Sequence, residues 1–401
     1  MFTLPAALSN RDFRTLMMGQ LPADFADWLD FVAIGALLAF VWTVDPFVFA
    51  LLAVSMGLPY LVVGLWAGAV VDRVNVKSVL ILSNIGRGLV TAALFFAPDW
   101  GILLLLVALR SSVDTFFTPA KQAAIQTLTR PEERMGANGL SHAINQASKI
   151  VAPALGGALL IWVEPQVIFL LNAGVSFIAA GLLLRLSSLA PVPDDGAAET
   201  GVIGAIRGGL AEVAGSSLLR SAIWLMAAGY FAMFFYDTLI APLTRDLGYS
   251  QTHLGFALAA VGAGGVVGAV MLGAMKDLPR PFLLIAAGSA IAACAVAVLG
   301  GMDLLDIRWP VGAFVGLFAI LGVASALSVV PFRTVLQNTV APGRMGRVTA
   351  LSEALNTIAL LTAPFIGAAI ASLTAVGMAF ICGGVILTAI AVKAMRMRNH
   401  R

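Results

Sequence analysis

Asp24, Asp27 and Asp30 recur at three-residue steps inside an otherwise apolar run, residues 15–42. Each step turns a helix by about 300°, so the three carboxylates share an arc of about 120°. Arg110 and Asp114 stand one helical turn apart in another apolar run, 101–128, spaced to pair along one face. Arg87 and Lys149 fall near the middle of two further runs, and Asp237 and Glu353 are sparser counterparts later in the chain. Acids facing a low-dielectric cavity are candidates for taking up and releasing protons, with nearby cations as partners. Asp27 or Asp30 is the expected carrier, helped by Arg110 and Asp114.

The elements that hold these residues follow from composition. Of 401 residues 60% are apolar and 11% charged, against about 25% charged in soluble domains, which excludes a water-soluble globule. A membrane-crossing helix takes roughly 20 apolar residues. The apolar runs predict twelve: 15–42, 47–71, 78–97, 101–128, 137–163, 166–186, 217–244, 252–275, 281–300, 309–336, 347–373 and 376–395. An acid at the centre of such a helix costs about 2.5–3.5 kcal/mol, and each Leu, Ile, Phe or Val returns about 0.3–0.6. Three acids therefore outweigh the eleven such residues between Leu16 and Val41, and the first helix must turn its acidic side to protein or water. The expected fold class is an all-α membrane protein of twelve transmembrane helices.

Seventeen lysines and arginines, from Arg11 and Arg14 to Arg398 and Arg401, fall in one set of loops, and only Arg245 and Arg308 in the other. By the positive-inside rule both termini face the cytoplasm. The net charge of +3 is spread over short clusters at the membrane surface, not one basic stripe, so no nucleic-acid partner is expected. The longest polar stretch, Ser187 to Gly201, carries Pro191, Pro193, Asp194, Asp195 and Gly196 and reads as a linker. Ile203, Ile206, Leu210 and Val213 then repeat at helical spacing, as in an amphipathic helix lying on the inner membrane surface. The expected organisation is a six-helix bundle over 1–186, a cytoplasmic linker over 187–215 and a second bundle over 216–401.

The two halves are related. Leu140-Ser-His-Ala-Ile-Asn145 followed by Ala152-Pro153-x-Leu-Gly156 is echoed, 211 residues on, by Leu351-Ser-Glu-Ala-Leu-Asn356 and Ala363-Pro364-x-Ile-Gly367. Gly68-x-x-x-Asp72 recurs as Gly273-x-x-x-Asp277, and Pro119-x-Lys121 as Pro331-x-Arg333, in the same order. Paired repeats place a site at their interface near the bilayer midplane, where one half rocks against the other.

The loop Gly68-Ala-Val-Val-Asp72-Arg73-Val-Asn-Val-Lys77 resembles the G-x-x-x-D-R-x-G-R-K signature of the major facilitator superfamily, with Asn75 and Val76 in place of its glycine and arginine. The chain also resembles one branch, the macrolide-efflux and enterobactin-exporter type of drug:proton antiporter. That likeness rests on Asn10-Arg-Asp-Phe-Arg14, Gly19-Gln20, Asp27 preceded by Ala26, Leu109-Arg110, Phe116-Phe-Thr-Pro-Ala120, Gln337 and Gly346-Arg-Val348. It covers nearly the whole chain.

The resemblance implies the major facilitator fold, with two pseudo-symmetric bundles whose first, fourth, seventh and tenth helices line a central cavity. It implies secondary active transport by alternating access: efflux of a small amphiphilic compound (drug, macrolide or siderophore-like) in exchange for protons. The expected setting is the lipid bilayer of a bacterial inner membrane, with the protein a monomer. Gly68, Asp72, Arg73 and Lys77 would form a gating loop, Asp72 meeting the start of the eleventh helix near Arg347. An anion there gains about 0.3–1 kcal/mol. Asp277 would do the same at the fifth helix.

Alternatives within the superfamily are a lysophospholipid flippase, since Phe117-Thr-Pro-Ala-Lys121 and Ala137-Asn-Gly-Leu140 resemble that group, and a ferroportin-like metal exporter. A non-transporting membrane sensor is the alternative of another class. No Walker, HExxH or GxSxG sequence is present, so the protein is not expected to be an enzyme, and no cofactor or resident metal is expected. Cys294 and Cys382 lie in apolar runs and read as small core residues. Gly262-Ala-Gly264-Gly-Val-Val-Gly268 reads as a helix-packing seam, not a nucleotide loop.

Overall fold

The structure is a computed structural model. It describes residues 6–71, 73–189, 210–211, 213–273, 280–340 and 345–397, and among these there is no strand. The first six predicted runs become α1 (Arg11–Ala36, extended by a π-turn, Leu37–Val41), α2 (Pro46–Val62) with α3 (Gly64–Val71), α4 (Val76–Leu94), α5 (Trp100–Asp114) with α6 (Phe117–Leu128), α7 (Arg134–Leu159) and α8 (Pro165–Leu183). The second six become α9 (Ser217–Asp237) with α10 (Ile240–Asp246), α11 (Gln251–Gly273), α12 (Pro281–Leu304), α13 (Val311–Thr339), α14 (Met345–Leu373) and α15 (Val376–Arg396). Among the described residues nine helical stretches are long and apolar enough to cross a membrane. Large apolar side chains such as Trp66, Trp162, Trp224 and Leu373 are exposed on their outsides, as a lipid-facing surface requires.

Local chemistry sets the helix ends. The Asn10 side chain accepts from the amides of Asp12 and Phe13, capping α1, and its Nδ2 donates to the Leu128 carbonyl at 3.0 Å, tying α1 to the end of α6. Asn75, at the signature's glycine position, has φ −61° and caps α4 by accepting from the Lys77 amide. The turn here needs a capping side chain, not a left-handed residue, which accounts for the departure from the signature. Asp99 and Ser216 cap α5 and α9 in the same way. The runs 101–128 and 217–244 break, at Thr115–Phe116 and Thr238–Leu239, and each new helix carries a proline third from its start, Pro119 and Pro242. Proline is tolerated there because first-turn amides have no partner within the helix. Pro153, Pro331 and Pro364 sit inside continuous helices.

The chain divides into two compact units, residues 1–44 with 54–195, and 45–53 with 196–401. Within the first, α1 packs on α7 and α8, and α4 on α5 and α8; within the second, α9 packs on α14 and α15, and α12 on α13 and α15. The neighbours are the same in the same order, so the sequence repeat is a repeat of packing. The motif glycines show why. A Cβ on Gly156 would meet Leu29 and Val32 of α1 at 3.0–3.5 Å, and one on Gly367 would overlap the Phe235 carbonyl of α9. The glycine-rich run of α11 is a packing seam: a Cβ on Gly264 would overlap the Ala319 carbonyl of α13, and one on Gly322 the Val261 carbonyl.

One expectation changes, and another falls largely outside the described residues. Cys294 is exposed and Cys382 half-buried, both as free thiols, because an apolar run serves a lipid-facing surface as well as a core. Of the amphipathic linker helix, Ile203 and Ile206 lie outside the described residues, while Leu210 and Val213 are helical, exposed and buried respectively.

Candidate functional site: a buried charge cluster in the first unit

Five charged side chains from three helices meet inside the first unit. On α4, Arg87 lies on one face with Asn84 and Thr91, three and four residues away. Its Nη1 reaches Asp27 Oδ1 at 2.9 Å and Asp114 Oδ1 at 2.7 Å, and its Nη2 donates to the Ala23 carbonyl and to Asn84 Oδ1. Arg110 on α5 places Nη2 2.7 Å from the same Asp27 Oδ1 and Nε 2.8 Å from Asp30 Oδ2. Thr91 Oγ1 touches both Arg110 and Asp30, the Tyr60 hydroxyl of α2 donates to Asp114 Oδ2, and the Phe117 ring lies 5.6 Å from the Arg87 guanidinium.

Arg110 and Asp114 therefore do not pair along their own helix. Each pairs across to another, because the acids of α1 and the Arg87 guanidinium fill the space between them. Burial separates the acids: the Asp27 side chain is 33% exposed and that of Asp30 1%. Asp27 Oδ1 bridges both arginines, while its Oδ2 takes part in no hydrogen bond or ion pair among the described residues. Two arginines face three aspartates, so with every acid ionised the cluster carries one surplus negative charge. A proton on Asp27 makes it neutral. A charge left uncompensated in a low-dielectric interior is costly, which favours a group able to shed it.

Asp24 does not join this cluster. One turn nearer the start of α1, it meets α6: Gln20 Nε2 donates to Asp24 Oδ2 at 2.7 Å and to the Ser141 carbonyl, with Lys121 Nζ 3.8 Å from Asp24 Oδ1. Lys121 lies 5.5 Å from the Phe117 ring, which thus separates the two polar clusters. Lys149 sits over the Trp28 ring at 5.3 Å. Asp237, at the end of α9, is half-buried with no ion pair among the described residues. Glu353, expected as a buried charge partner, is exposed: it lies two residues, about 200° of helix, from the buried Leu351.

Of the gating loop, Gly68 falls in α3, Arg73 is exposed in the turn and Lys77 is half-buried in α4. Asp72, Asp277 and the side chain of Arg347 lie outside the described residues. Sequence reasoning missed Tyr60, Asn84, Thr91 and Asn172, the last donating to the Ala26 carbonyl at 2.8 Å. The 84, 87, 91 spacing in an apolar helix was the available signal for two of them.

A family model described as Major Facilitator Superfamily matches residues 16–364. The chain is 28% identical over 392 residues, 96% of its length and 92% of the relative's, to the uncharacterized MFS-type transporter YfiS of Bacillus subtilis. It is 28% identical over 361 residues, 84% of its length and 82% of the relative's, to the enterobactin exporter EntS of Escherichia coli. Among solved structures it is similar to a bacterial homolog of the human lysosomal transporter Spinster in its inward-facing, occupied conformation, with TM-score 0.71 and 15% identity, covering 99% of this chain and 97% of that one. It is also similar to a POT family transporter in complex with 5-aminolevulinic acid, with TM-score 0.77 and 10% identity, covering 97% and 96%. With the family match spanning most of its length and the paired six-helix packing to go with it, this chain is a transporter of the Major Facilitator Superfamily.

Proposed function

We propose that the protein exports a small amphiphilic organic compound in exchange for protons by alternating access, and that Asp27 carries the proton. One observation carries the reading: two arginines face three acids, and Asp27, whose Oδ1 bridges both arginines, is the one of Asp27 and Asp30 whose side chain is open, 33% exposed against 1%. Asp27 binds a proton from outside as cargo leaves and releases it inside as cargo enters. One charge moved through 100 mV is worth roughly 2.3 kcal/mol, enough to bias a two-state equilibrium more than tenfold. Export is supported by the enterobactin exporter among the relatives. Both bundles lie in one chain, so a monomer suffices. The charge bias of the loops favours cytoplasmic termini, and the bacterial relatives favour a bacterial plasma membrane.

The metal-exporter alternative loses support, because guanidinium groups occupy the positions where a cation would meet Asp27, Asp30 and Asp114. The flippase alternative would need Lys121 for a phosphate, and Lys121 already faces Asp24. The test is uptake of a panel of radiolabelled amphiphiles into inverted membrane vesicles energised by a proton gradient. Accumulation that collapses with a protonophore is expected for at least one compound. Transport unaffected by the protonophore would overturn the coupling.

A further inference from the structure

The second unit holds a partly open cavity of about 100 Å³ lined by α9, α12, α13 and α15, and no residue of the first unit's charge cluster lines it. Its wall is apolar, with Met226, Met233 and Phe332 prominent, and no charged side chain among the described residues lines it. Into this wall are set hydroxyls without partners. Tyr236 is 7% exposed and Ser289 5%, both line the cavity, and neither hydroxyl makes a hydrogen bond among the described residues. Ser325, also on the wall, makes none either, whereas Ser328 spends its proton on the Ala324 carbonyl at 3.2 Å.

A hydroxyl that opens onto an apolar cavity without a protein partner is available to a guest or an ordered water. Two of them on an apolar wall at membrane depth, contributed by different helices, define where a polar atom of a guest would sit. The rest of the wall defines what surrounds that atom. An engineered apolar cavity of about 150 Å³ takes benzene; here the flexible thioethers of Met226 and Met233 can yield to admit a ring of that size.

We infer that this cavity is a binding site for an uncharged ring or branched alkyl group that carries one hydrogen-bonding oxygen, held by Tyr236 and Ser289 and packed by the two methionines. A fully ionised group finds no counter-charge on the wall itself, and a plain hydrocarbon leaves the hydroxyls unmet. The inference stands whether or not Asp27 carries a proton, since it concerns binding to the other unit.

The test uses the full chain in lipid nanodiscs with carbon-13-labelled methionine methyl groups, titrated with phenol and, separately, with benzene. Saturable phenol shifts confined to the Met226 and Met233 methyls are expected, the other methionines reporting general partition into lipid. Ser289→Ala and Tyr236→Phe should each weaken phenol about fivefold, the worth of one hydrogen bond, and change benzene by less than about twofold. Ser325→Phe, which fills the space, should remove both. Shifts spread over all methionines, equal losses for phenol and benzene in the two polar variants, or undiminished phenol binding in Ser325→Phe would each overturn the inference.

Discussion

Asp27 and Asp30 stand one turn apart on α1 and share Arg110, at 2.7 and 2.8 Å, yet the Asp27 side chain is 33% exposed and that of Asp30 1%. Neighbours on one helix face thus have different surroundings: Asp30 is sealed against the guanidinium, and Asp27 is partly open. A hydrophobic carbodiimide, which reacts with protonated carboxyl groups, should modify Asp27 and spare Asp30 and Asp114. Peptide mass spectrometry reads the site directly, and label on Asp30 with none on Asp27 would contradict the division.

Removing Arg87 leaves one arginine against three acids. Breaking a buried pair by deleting one partner costs about 3–5 kcal/mol, so Arg87→Met should lower the unfolding temperature in detergent strongly. Adding Asp114→Asn removes the acid that Arg87 held at 2.7 Å and should recover part of the loss. Equal stability of the single and double variants would mean that the pair is not energetically coupled.

The two glycine seams should respond differently to one methyl group. On Gly322 it overlaps a backbone carbonyl of α11, which cannot move aside alone; on Gly156 the nearest atom is the Leu29 side-chain methyl at 3.0 Å, which can rotate away. Gly322→Ala should cost about 1–3 kcal/mol as overpacking does, and Gly156→Ala clearly less. Thermal unfolding of both variants, side by side, checks the order.

Outside the membrane-spanning helices, the Arg130 side chain and amide both donate to the Glu133 carboxylate, at 2.8 and 3.1 Å, and hold that carboxyl below the usual glutamate range. A lowered value means that the contact supports the turn before α7 fully above the ordinary glutamate pKa and is lost as pH falls through the folded one. Limited proteolysis at the turn should therefore quicken at acid pH in the wild type. Glu133→Gln should be cut faster at neutral pH, with little further change on acidification.

The twelve apolar runs, the repeat and the meeting of Arg87, Arg110, Asp114 and the acids of α1 were all suggested by residue type and spacing, because burying a charge in a membrane helix demands a partner of opposite sign. Who pairs with whom was not. Arg110 and Asp114 are spaced to pair within α5 and instead reach across, a choice made by helix rotation. Rotation is hidden in sequences such as these, since the lipid-facing and core-facing sides of a membrane helix are both apolar. That ambiguity also misplaces Cys294 and leaves Tyr60 undetected in its apolar run. Angle alone groups Asp24 with its neighbours, yet one turn of axial rise brings it to Lys121 instead.

The central claim is that Asp27 is dispensable for binding and moving cargo and required for coupling it to protons. Asp27→Asn leaves two arginines against two acids, so the fold should hold. In proteoliposomes, this variant should exchange labelled for unlabelled cargo across the membrane at a rate near that of the wild type while losing proton-driven accumulation. Accumulation in Asp27→Asn equal to that of the wild type would contradict the account.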